Sequence, residues 1–175
     1  MHYNGPIVRP QTDADSLFIE VTVGCTHNKC TFCNFYDGYR FSIAPIEQIE
    51  EDLIEAQRIY PHVKKLWANG GNPYALSTEK LAAIGKLFRK YFPESRISTY
   101  ARVDDLTRKS VEEMQYLKEL GWEDLVVGFE NGDDEALAYV NKGYTSEDVL
   151  EGCKKLEEAG VEYVILETGL GGRLD

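Results

Sequence analysis

The sequence lacks long apolar runs, an excess of basic charge and evenly spread cysteines. Its 175 residues contain 19 Lys and Arg against 30 Asp and Glu, a formal net charge of −11. Because this acidic excess repels phosphate backbones, nucleic acid is not expected as a partner of this part of the chain. The apolar runs are too short for a membrane span, and residues 1–6 lack the basic and apolar regions of a signal peptide. The composition predicts a cytoplasmic protein, without a membrane partner, that folds as one domain over residues 1–175.

Cysteine is scarce but clustered. Three of the four cysteines are Cys25, Cys30 and Cys33, and Cys153 lies far downstream. A disulfide framework is not expected, because the chain is predicted to be cytoplasmic and three thiols cannot pair among themselves. The cluster therefore favours metal or iron–sulfur ligation. Cys153 falls on the apolar face of a predicted helix and is interpreted as a small buried hydrophobic residue.

Short β-rich runs alternate with amphipathic helical stretches. Strands are predicted at 17–23, 63–68, 97–103, 125–130 and 161–168. The helix signals between them are Pro45, an N-cap at Ser77 or Thr78, an N-cap at Thr107, a short helix near 134–141, and a capping box at Thr145 and Asp148 with a stop at Gly160. Five β-α units predict a parallel sheet, because parallel strands need crossover connections. Five strands cannot close an eight-stranded barrel, so the predicted fold is α/β: an incomplete parallel (β/α) barrel of the partial TIM-barrel type, truncated at its C-terminal end.

Polar residues occupy the strand positions that face away from the predicted helices. These residues are Glu20, Thr22, Ser98, Tyr100, Arg102, Gly128 and Glu130. Active sites of β/α barrels lie at the carboxyl ends of the strands, so these side chains are expected to converge with the cysteines, residues 70–73 and residues 169–172 around one mouth. The alternative is a purely structural ion-pair network of Glu20, Arg102 and Glu130. Burying several charges costs several kcal/mol, which favours a function.

The segment 24–36 follows the first strand and carries an aromatic-bracketed Cys-x-x-Cys. Three thiolates can hold three irons of a cubane cluster and leave the fourth iron open for another ligand, which points to chemistry rather than electron storage. The alternative is zinc, with Cys25, His27, Cys30 and Cys33 as ligands. Structural zinc sites usually take ligands from two separated pieces of chain, so the cluster is favoured.

Several motifs in this order resemble those of radical S-adenosylmethionine (radical SAM) enzymes. The family's signature is Cys-x3-Cys-x2-Cys with an aromatic residue before the last Cys; Phe32 matches that position, and the first spacing is one residue longer here. The family's Gly-Gly-Glu-Pro motif corresponds to Gly70-Gly71-Asn72-Pro73. Residues 127–132, 137–143 and 169–172 resemble its later glycine, Leu-x4-Lys-Gly and adenine-side motifs. The likeness is strongest to the oxygen-independent coproporphyrinogen oxidase and methylthiotransferase branch.

The resemblance implies an enzyme with two cofactors, a 4Fe-4S cluster held by Cys25, Cys30 and Cys33 and S-adenosylmethionine bound to the open iron. It implies reductive cleavage to methionine and a 5′-deoxyadenosyl radical that abstracts hydrogen from an unidentified substrate, with a low-potential electron donor such as a flavodoxin or ferredoxin. The cofactor-binding residues that it implies are Phe32, Asn34, Gly70, Gly71, Asn72, Pro73, Tyr100, Arg102, Glu130, Gly169 and Gly171. Residues 70–73 would hold the methionyl amino group, Arg102 the carboxylate, and Glu130 the ribose or amino group. A non-catalytic zinc-binding or interaction module remains the alternative function.

Overall fold

The computed structural model describes residues 1–167. In chain order the regular elements of this part are β1 (Leu17–Glu20), β2 (Thr22–Val23), β3 (Ser42–Ile43), α1 (Ile46–Ile59), β4 (Lys65–Asn69), α2 (Thr78–Tyr91), β5 (Arg96–Arg102), α3 (Val103–Thr107), α4 (Val111–Glu119), β6 (Trp122–Gly128), α5 (Asp134–Tyr139), α6 (Ser146–Ala159) and β7 (Glu162–Leu166). No helix among the described residues is both long enough and apolar enough to cross a membrane.

The principal sheet has five parallel strands in the order β1-β4-β5-β6-β7. Each connection between neighbouring strands carries one or two helices, and the main core lies between these helices and the sheet. Parallel strands require such crossovers, and their carboxyl ends then meet at one edge. The predicted incomplete parallel (β/α) barrel is confirmed.

The first predicted strand is divided into two strands. β1 ends at Glu20, and Thr22–Val23 then pairs antiparallel with Ser42–Ile43. We call the segment between these short strands, residues 24–41, the Cys loop. The prediction of one strand over 17–23 was wrong because alternation does not show which partner a strand bonds to. The small ladder fastens both ends of the Cys loop beside the sheet.

The helix after β5 also begins elsewhere than predicted. Thr107 is the last residue of the short helix α3, and Ser110 is the N-cap of α4. Ser110 Oγ accepts a hydrogen bond from Glu113 N at 3.2 Å, and Glu113 Oε2 accepts one from Ser110 N at 2.8 Å. This reciprocal box satisfies two amide donors at once, which Thr107 does not do.

The other helix signals were read correctly. Ser77 caps α2, and Thr145 forms a capping box with Asp148 at the start of α6. Gly160 ends α6 with φ +66°, in the left-handed region. Cys153, predicted to be buried, is half-buried and packs at the margin of the core.

The strand faces opposite the helices are aromatic in the middle of the barrel. Trp67 stacks on Phe18 with a centroid distance of 5.4 Å and meets Tyr100 edge-on at 4.9 Å, and Val126 completes this cluster. The expectation that this face is polar therefore holds only towards the strand ends. Aromatic rings bury large areas, so this layer fills the interior below the carboxyl ends.

A polar cluster closes the opposite end of the barrel. Lys65 Nζ lies 2.7 Å from Asp13 Oδ1 and 2.6 Å from Asp124 Oδ2, and Ser98 Oγ donates to Asp124 at 2.9 Å. These residues lie near the starts of β4, β5 and β6. At this end of the barrel the charged side chains thus pair with one another.

Candidate functional site

A cavity of about 260 Å³ opens at the carboxyl ends of the strands. Its wall combines residues from the Cys loop, from the turn after β4, and from the ends of β5 and β6. The predicted site residues in this wall are Cys25, Cys30, Phe32, Cys33, Gly71, Tyr100, Arg102 and Glu130. The fold thus brings together residues as far apart in the chain as Cys25 and Glu130.

All three cysteines of the Cys loop are free thiols and half-buried. Burial raises the pKa of the Cys30 thiol, and the nearby cations Lys142 and Arg102 act in the opposite direction. Arg102 Nη1 lies 3.9 Å from Cys30 Sγ. Because thiolates are the ligating form and cations stabilise them, this wall suits ligation by sulfur.

The zinc alternative does not match the geometry. Within residues 1–167, no three His, Cys, Asp or Glu side chains surround one point as the ligands of a single metal ion do. His27 is held elsewhere: its Nε2–H donates to the carbonyl of Asn141 at 2.6 Å, and burial lowers its pKa. The three thiols of a cubane site bind three different irons and lie further apart than ligands of one ion, so the arrangement is compatible with a cluster.

Gly71 brings the turn after β4 against the start of the Cys loop. We call residues 70–73 the Gly-Gly turn. Gly71 N donates to Gly24 O at 3.0 Å, and a Cβ on Gly71 would lie 2.5 Å from that oxygen and 2.8 Å from Cys25 Cβ. These distances leave no room for a side chain, so glycine is required by close approach.

Four predicted cofactor contacts lie outside the cavity wall: Asn34, Gly70, Asn72 and Pro73. Asn34 is exposed, whereas the Asn72 side chain is fully buried and hydrogen-bonds to Thr26 and Asp105. Any cofactor contact of the Gly-Gly turn would therefore come from its backbone. Gly169 and Gly171 lie outside the described residues.

Glu130 and Lys142 form a buried ion pair in the cavity wall. Glu130 Oε1 lies 3.1 Å from Lys142 Nζ, and both residues are less exposed than 10%, at 7% and 4%. Glu130 Oε2 has no hydrogen-bond partner among the described residues, and Glu130 itself adopts φ +69°. A Cβ on Gly128 would lie 2.8 Å from Glu130 Oε1, so the glycine makes room for the carboxylate. A strained residue with a buried free acceptor is typical of a binding site.

Lys142 was not predicted as a site residue. It lies within the Leu-x4-Lys-Gly motif, which marked the segment without showing where the lysine points. Sequence reasoning also missed Val8, Tyr36 and Glu167 in the cavity wall. The hydroxyl of buried Tyr36 has no partner among the described residues. Val8 carries no motif, and its position follows from the packing of the N-terminal segment.

The ion-pair network of Glu20, Arg102 and Glu130 does not form. Arg102 Nε donates to Asp104 at 2.8 Å, and its Nη2 donates to the carbonyl of Lys142 at 2.6 Å. Glu20, expected to face the site, instead accepts three hydrogen bonds from residues 4 and 5. The structural alternative is therefore wrong, because each member binds a different partner.

The fold and the cavity together define an enzyme class: a partial parallel barrel whose first loop presents three thiols to a pocket at the strand ends. Active sites of β/α barrels occupy this end. The family model described as the Radical SAM superfamily matches residues 19–175, and the chain belongs to that superfamily. The expected family is confirmed, and the two expected cofactors, a 4Fe-4S cluster and S-adenosylmethionine, are those of the superfamily.

Two curated relatives match most of the chain. The heme chaperone HemW of Bacillus subtilis (strain 168) is 27% identical over 157 residues, which are 84% of this chain and 40% of that protein. The tRNA-2-methylthio-N(6)-dimethylallyladenosine synthase of Aquifex aeolicus (strain VF5) is 26% identical over 155 residues, 81% of this chain and 33% of that protein. The chain thus spans less than half the length of either relative.

Solved structures share the fold. The cobalamin-dependent S-adenosylmethionine radical enzyme OxsB, with aqua-cobalamin and S-adenosylmethionine bound, superposes with a TM-score of 0.72 at 18% identity, covering 86% of this chain and 23% of OxsB. Coproporphyrinogen III oxidase HemN of Escherichia coli has a TM-score of 0.59 at 21% identity and covers 86% of this chain and 36% of HemN. These two structures show the shared fold. Together with the family model and the two curated relatives, the HemN match bears out the predicted likeness to the coproporphyrinogen oxidase and methylthiotransferase branch.

Proposed function

We propose that this protein holds a 4Fe-4S cluster through Cys25, Cys30 and Cys33 and cleaves S-adenosylmethionine reductively. The observation that carries the proposal is that all three thiols line one cavity with the buried Glu130 and Lys142. When bound, the reduced cluster supplies one electron that breaks a C–S bond of S-adenosylmethionine and yields methionine and the 5′-deoxyadenosyl radical.

The residues of the cavity fit this pair of cofactors. Arg102 and Lys142 place positive charge beside Cys30, which favours the thiolate form that ligates iron. Glu130 Oε2 is a buried acceptor without a partner among residues 1–167, suited to the ribose hydroxyls or the amino group of the cofactor. Backbone carbonyls of the Gly-Gly turn would accept from the methionyl ammonium group.

Aromatic side chains below the cavity and on its Cys loop side would shield a bound cofactor from water. Tyr100 stands on Trp67 below the cavity, and Tyr36 is buried on the Cys loop side. Burial raises the pKa of both tyrosines, so they stay neutral donors at physiological pH. Radical chemistry needs such shielding, because water and oxygen quench reactive intermediates.

The outer side of the Cys loop is the proposed docking area for a low-potential donor such as a flavodoxin or ferredoxin. Tyr39 is exposed there, together with the basic residues Lys29 and Arg40. Basic charge on an otherwise acidic chain favours an acidic partner near the cluster. A donor of this kind, and thiols that must stay reduced to bind a cluster, support the proposal of a cytoplasmic location.

Anaerobic reconstitution with iron and sulfide tests the proposal. A brown chromophore with broad visible absorption, and 5′-deoxyadenosine formed after addition of dithionite and S-adenosylmethionine, are expected. The nucleoside is quantified by chromatography, with a reaction lacking dithionite as the control. A colourless protein that binds about one zinc per chain would instead establish the alternative function as a metal-binding module.

A further inference from the structure

We propose that Asn72 is a positioning residue for the cluster, whose side-chain amide holds the Cys25 end of the Cys loop against the end of β5. The inference rests on the proposed function, because it assigns the thiols of this loop to a cluster. Asn72 is completely buried and does not line the cavity. A residue placed in this way acts through the loop and not on the cofactor.

Both the oxygen and the nitrogen of the Asn72 side-chain amide form hydrogen bonds. Its Oδ1 accepts from Thr26 N at 3.0 Å, and its Nδ2 donates to Thr26 Oγ1 at 2.7 Å and to Asp105 Oδ2 at 2.9 Å. Thr26 directly follows Cys25 in the chain. Only an amide offers an acceptor and two donors in one planar group, so neither a carboxylate nor an apolar side chain reproduces these bonds.

Asp105 is a buried carboxylate that is held by the backbone at the end of β5. It is 1% exposed, and its Oδ2 also accepts from the backbone N of Arg102 at 2.9 Å. The guanidinium of Arg102 in turn approaches Cys30 Sγ at 3.9 Å. Asp105 is thus connected to two of the three thiols. Asn72 links it to the residue after Cys25, and Arg102 links it to Cys30.

The pairing explains why an asparagine suits this chain at position 72. A carboxylate there would lie beside Asp105, and the two groups would repel each other or have to share a proton, whereas the amide donates to Asp105 without taking up a proton. Burial raises the pKa of Asp105 to about 6, so this carboxyl is mostly ionised at neutral pH and needs a donor. Partners one step removed from a metal site orient its ligands, and their loss weakens metal binding.

The test uses isosteric exchanges, which leave the packing volume unchanged. Asn72→Asp, Asp105→Asn and the double variant are reconstituted at neutral pH, and iron release to a chelator is followed by absorbance. Asn72→Asp is expected to release iron about tenfold faster than the parent protein. The double variant is expected to recover only part of that loss. An amide at position 105 can donate to the carboxylate at position 72, but the nitrogen that donates cannot also accept from Arg102 N as Asp105 Oδ2 does.

Hydrogen exchange in residues 24–33 of the cluster-free protein is the second measurement. Asn72→Asp should increase exchange there, and the double variant should reduce it again. Ser98→Ala is the control, because it removes a buried hydrogen bond to Asp124 at the far end of the barrel. It should lower the melting temperature without changing exchange in the loop or the electron paramagnetic resonance signal of the reduced cluster.

The inference would be overturned if Asn72→Asp showed the same hydrogen exchange in residues 24–33 and the same rate of iron release as the parent protein. It would also be overturned if Ser98→Ala matched Asn72→Asp at an equal loss of melting temperature, because the effect would then be general destabilisation. A parent protein that takes up no iron would refute the proposed function alone, since loop exchange still reports whether Asn72 holds the Cys loop.

Discussion

Gly71 and Cys25 are in direct contact across the mouth of the barrel: a Cβ on Gly71 would lie 2.8 Å from the Cys25 Cβ and 2.9 Å from its Cα. The backbone of the Gly-Gly turn therefore packs directly against Cys25, the first proposed cluster ligand. Backbone atoms cannot swing aside as the end of a flexible side chain can, so this contact sets where Cys25 lies.

Gly71→Ala should therefore displace the Cys25 end of the Cys loop and lower the iron and sulfide content after reconstitution. The matched control is Gly132→Ala, because no atom of residues 1–167 lies within 4 Å of the position that a Cβ on Gly132 would occupy. The two variants are compared by iron assay and by melting temperature. Equal iron content in both would contradict the close contact.

Each of Cys25→Ala, Cys30→Ala and Cys33→Ala should abolish stable cluster binding, because a cluster that already lacks a fourth thiolate becomes labile with two. Cys153→Ala is the matched control: Cys153 is also a half-buried free thiol but packs at the margin of the core. Iron and sulfide assays on the four variants decide the assignment. Full iron content in Cys30→Ala would show that the ligand set is wrong.

Glu130→Gln should weaken S-adenosylmethionine binding by roughly ten- to a hundredfold, the effect of losing a charge-assisted hydrogen bond. It should leave iron content close to that of the parent, because Glu130 and the cysteines lie on different elements. Binding is measured by equilibrium dialysis of the reconstituted protein with labelled cofactor.

Glu123→Gln serves as the control for Glu130→Gln, since Glu123 pairs with Arg89 at the protein surface and lies away from the cavity. Unchanged affinity in Glu130→Gln would show that the unpartnered Oε2 does not face the cofactor.

Arg102→Ala differs from Glu130→Gln in its expected effect. The guanidinium contacts Cys30 Sγ and the carbonyl of Lys142, so its removal should reduce both cofactor affinity and iron retention. Iron content equal to that of the parent, together with weakened cofactor binding, would instead support the direct carboxylate contact that the family resemblance implies. The two variants thus separate cofactor binding from cluster support.

Asp105 should make the protein less stable as the pH rises. Burial raises its pKa from 3.8 to about 6, so the folded state binds a proton that the unfolded state has lost. The stabilisation from this proton is complete below about pH 4 and is lost as the pH rises through about 6, by up to roughly 3 kcal/mol. Urea unfolding of the parent and Asp105→Asn from about pH 4 to about pH 7 measures it.

Over this range the free energy of unfolding of Asp105→Asn should rise relative to that of the parent. Thr99→Val, which removes a buried hydrogen bond to the carbonyl of Ala68 and leaves the carboxylates in place, should follow the parent curve at a constant offset. Parallel curves for the parent and Asp105→Asn would show that Asp105 titrates normally.

The architecture could be predicted because its signals are local. Apolar periodicity indicated the five strands of the sheet and the helices between them other than α3. The Thr145 capping box and Gly160 marked the ends of α6, and the spacing of Cys25, Cys30 and Cys33 singled out the Cys loop. Strict alternation of strands and helices leaves few topologies other than a parallel sheet, so these local signals were enough for the fold class.

The sequence by itself determined the elements, the cysteine set and the superfamily; the partners of the buried polar groups were decided only by the tertiary structure. Asn72 meets Thr26 and Asp105 across 46 and 33 positions of the chain, and Thr22–Val23 leaves the sheet to pair with a strand beyond the Cys loop. A buried polar group must find a partner wherever the fold places one, and no periodicity encodes that choice. Charge and motifs therefore identified the candidate site residues, and tertiary packing determined which of them are in contact.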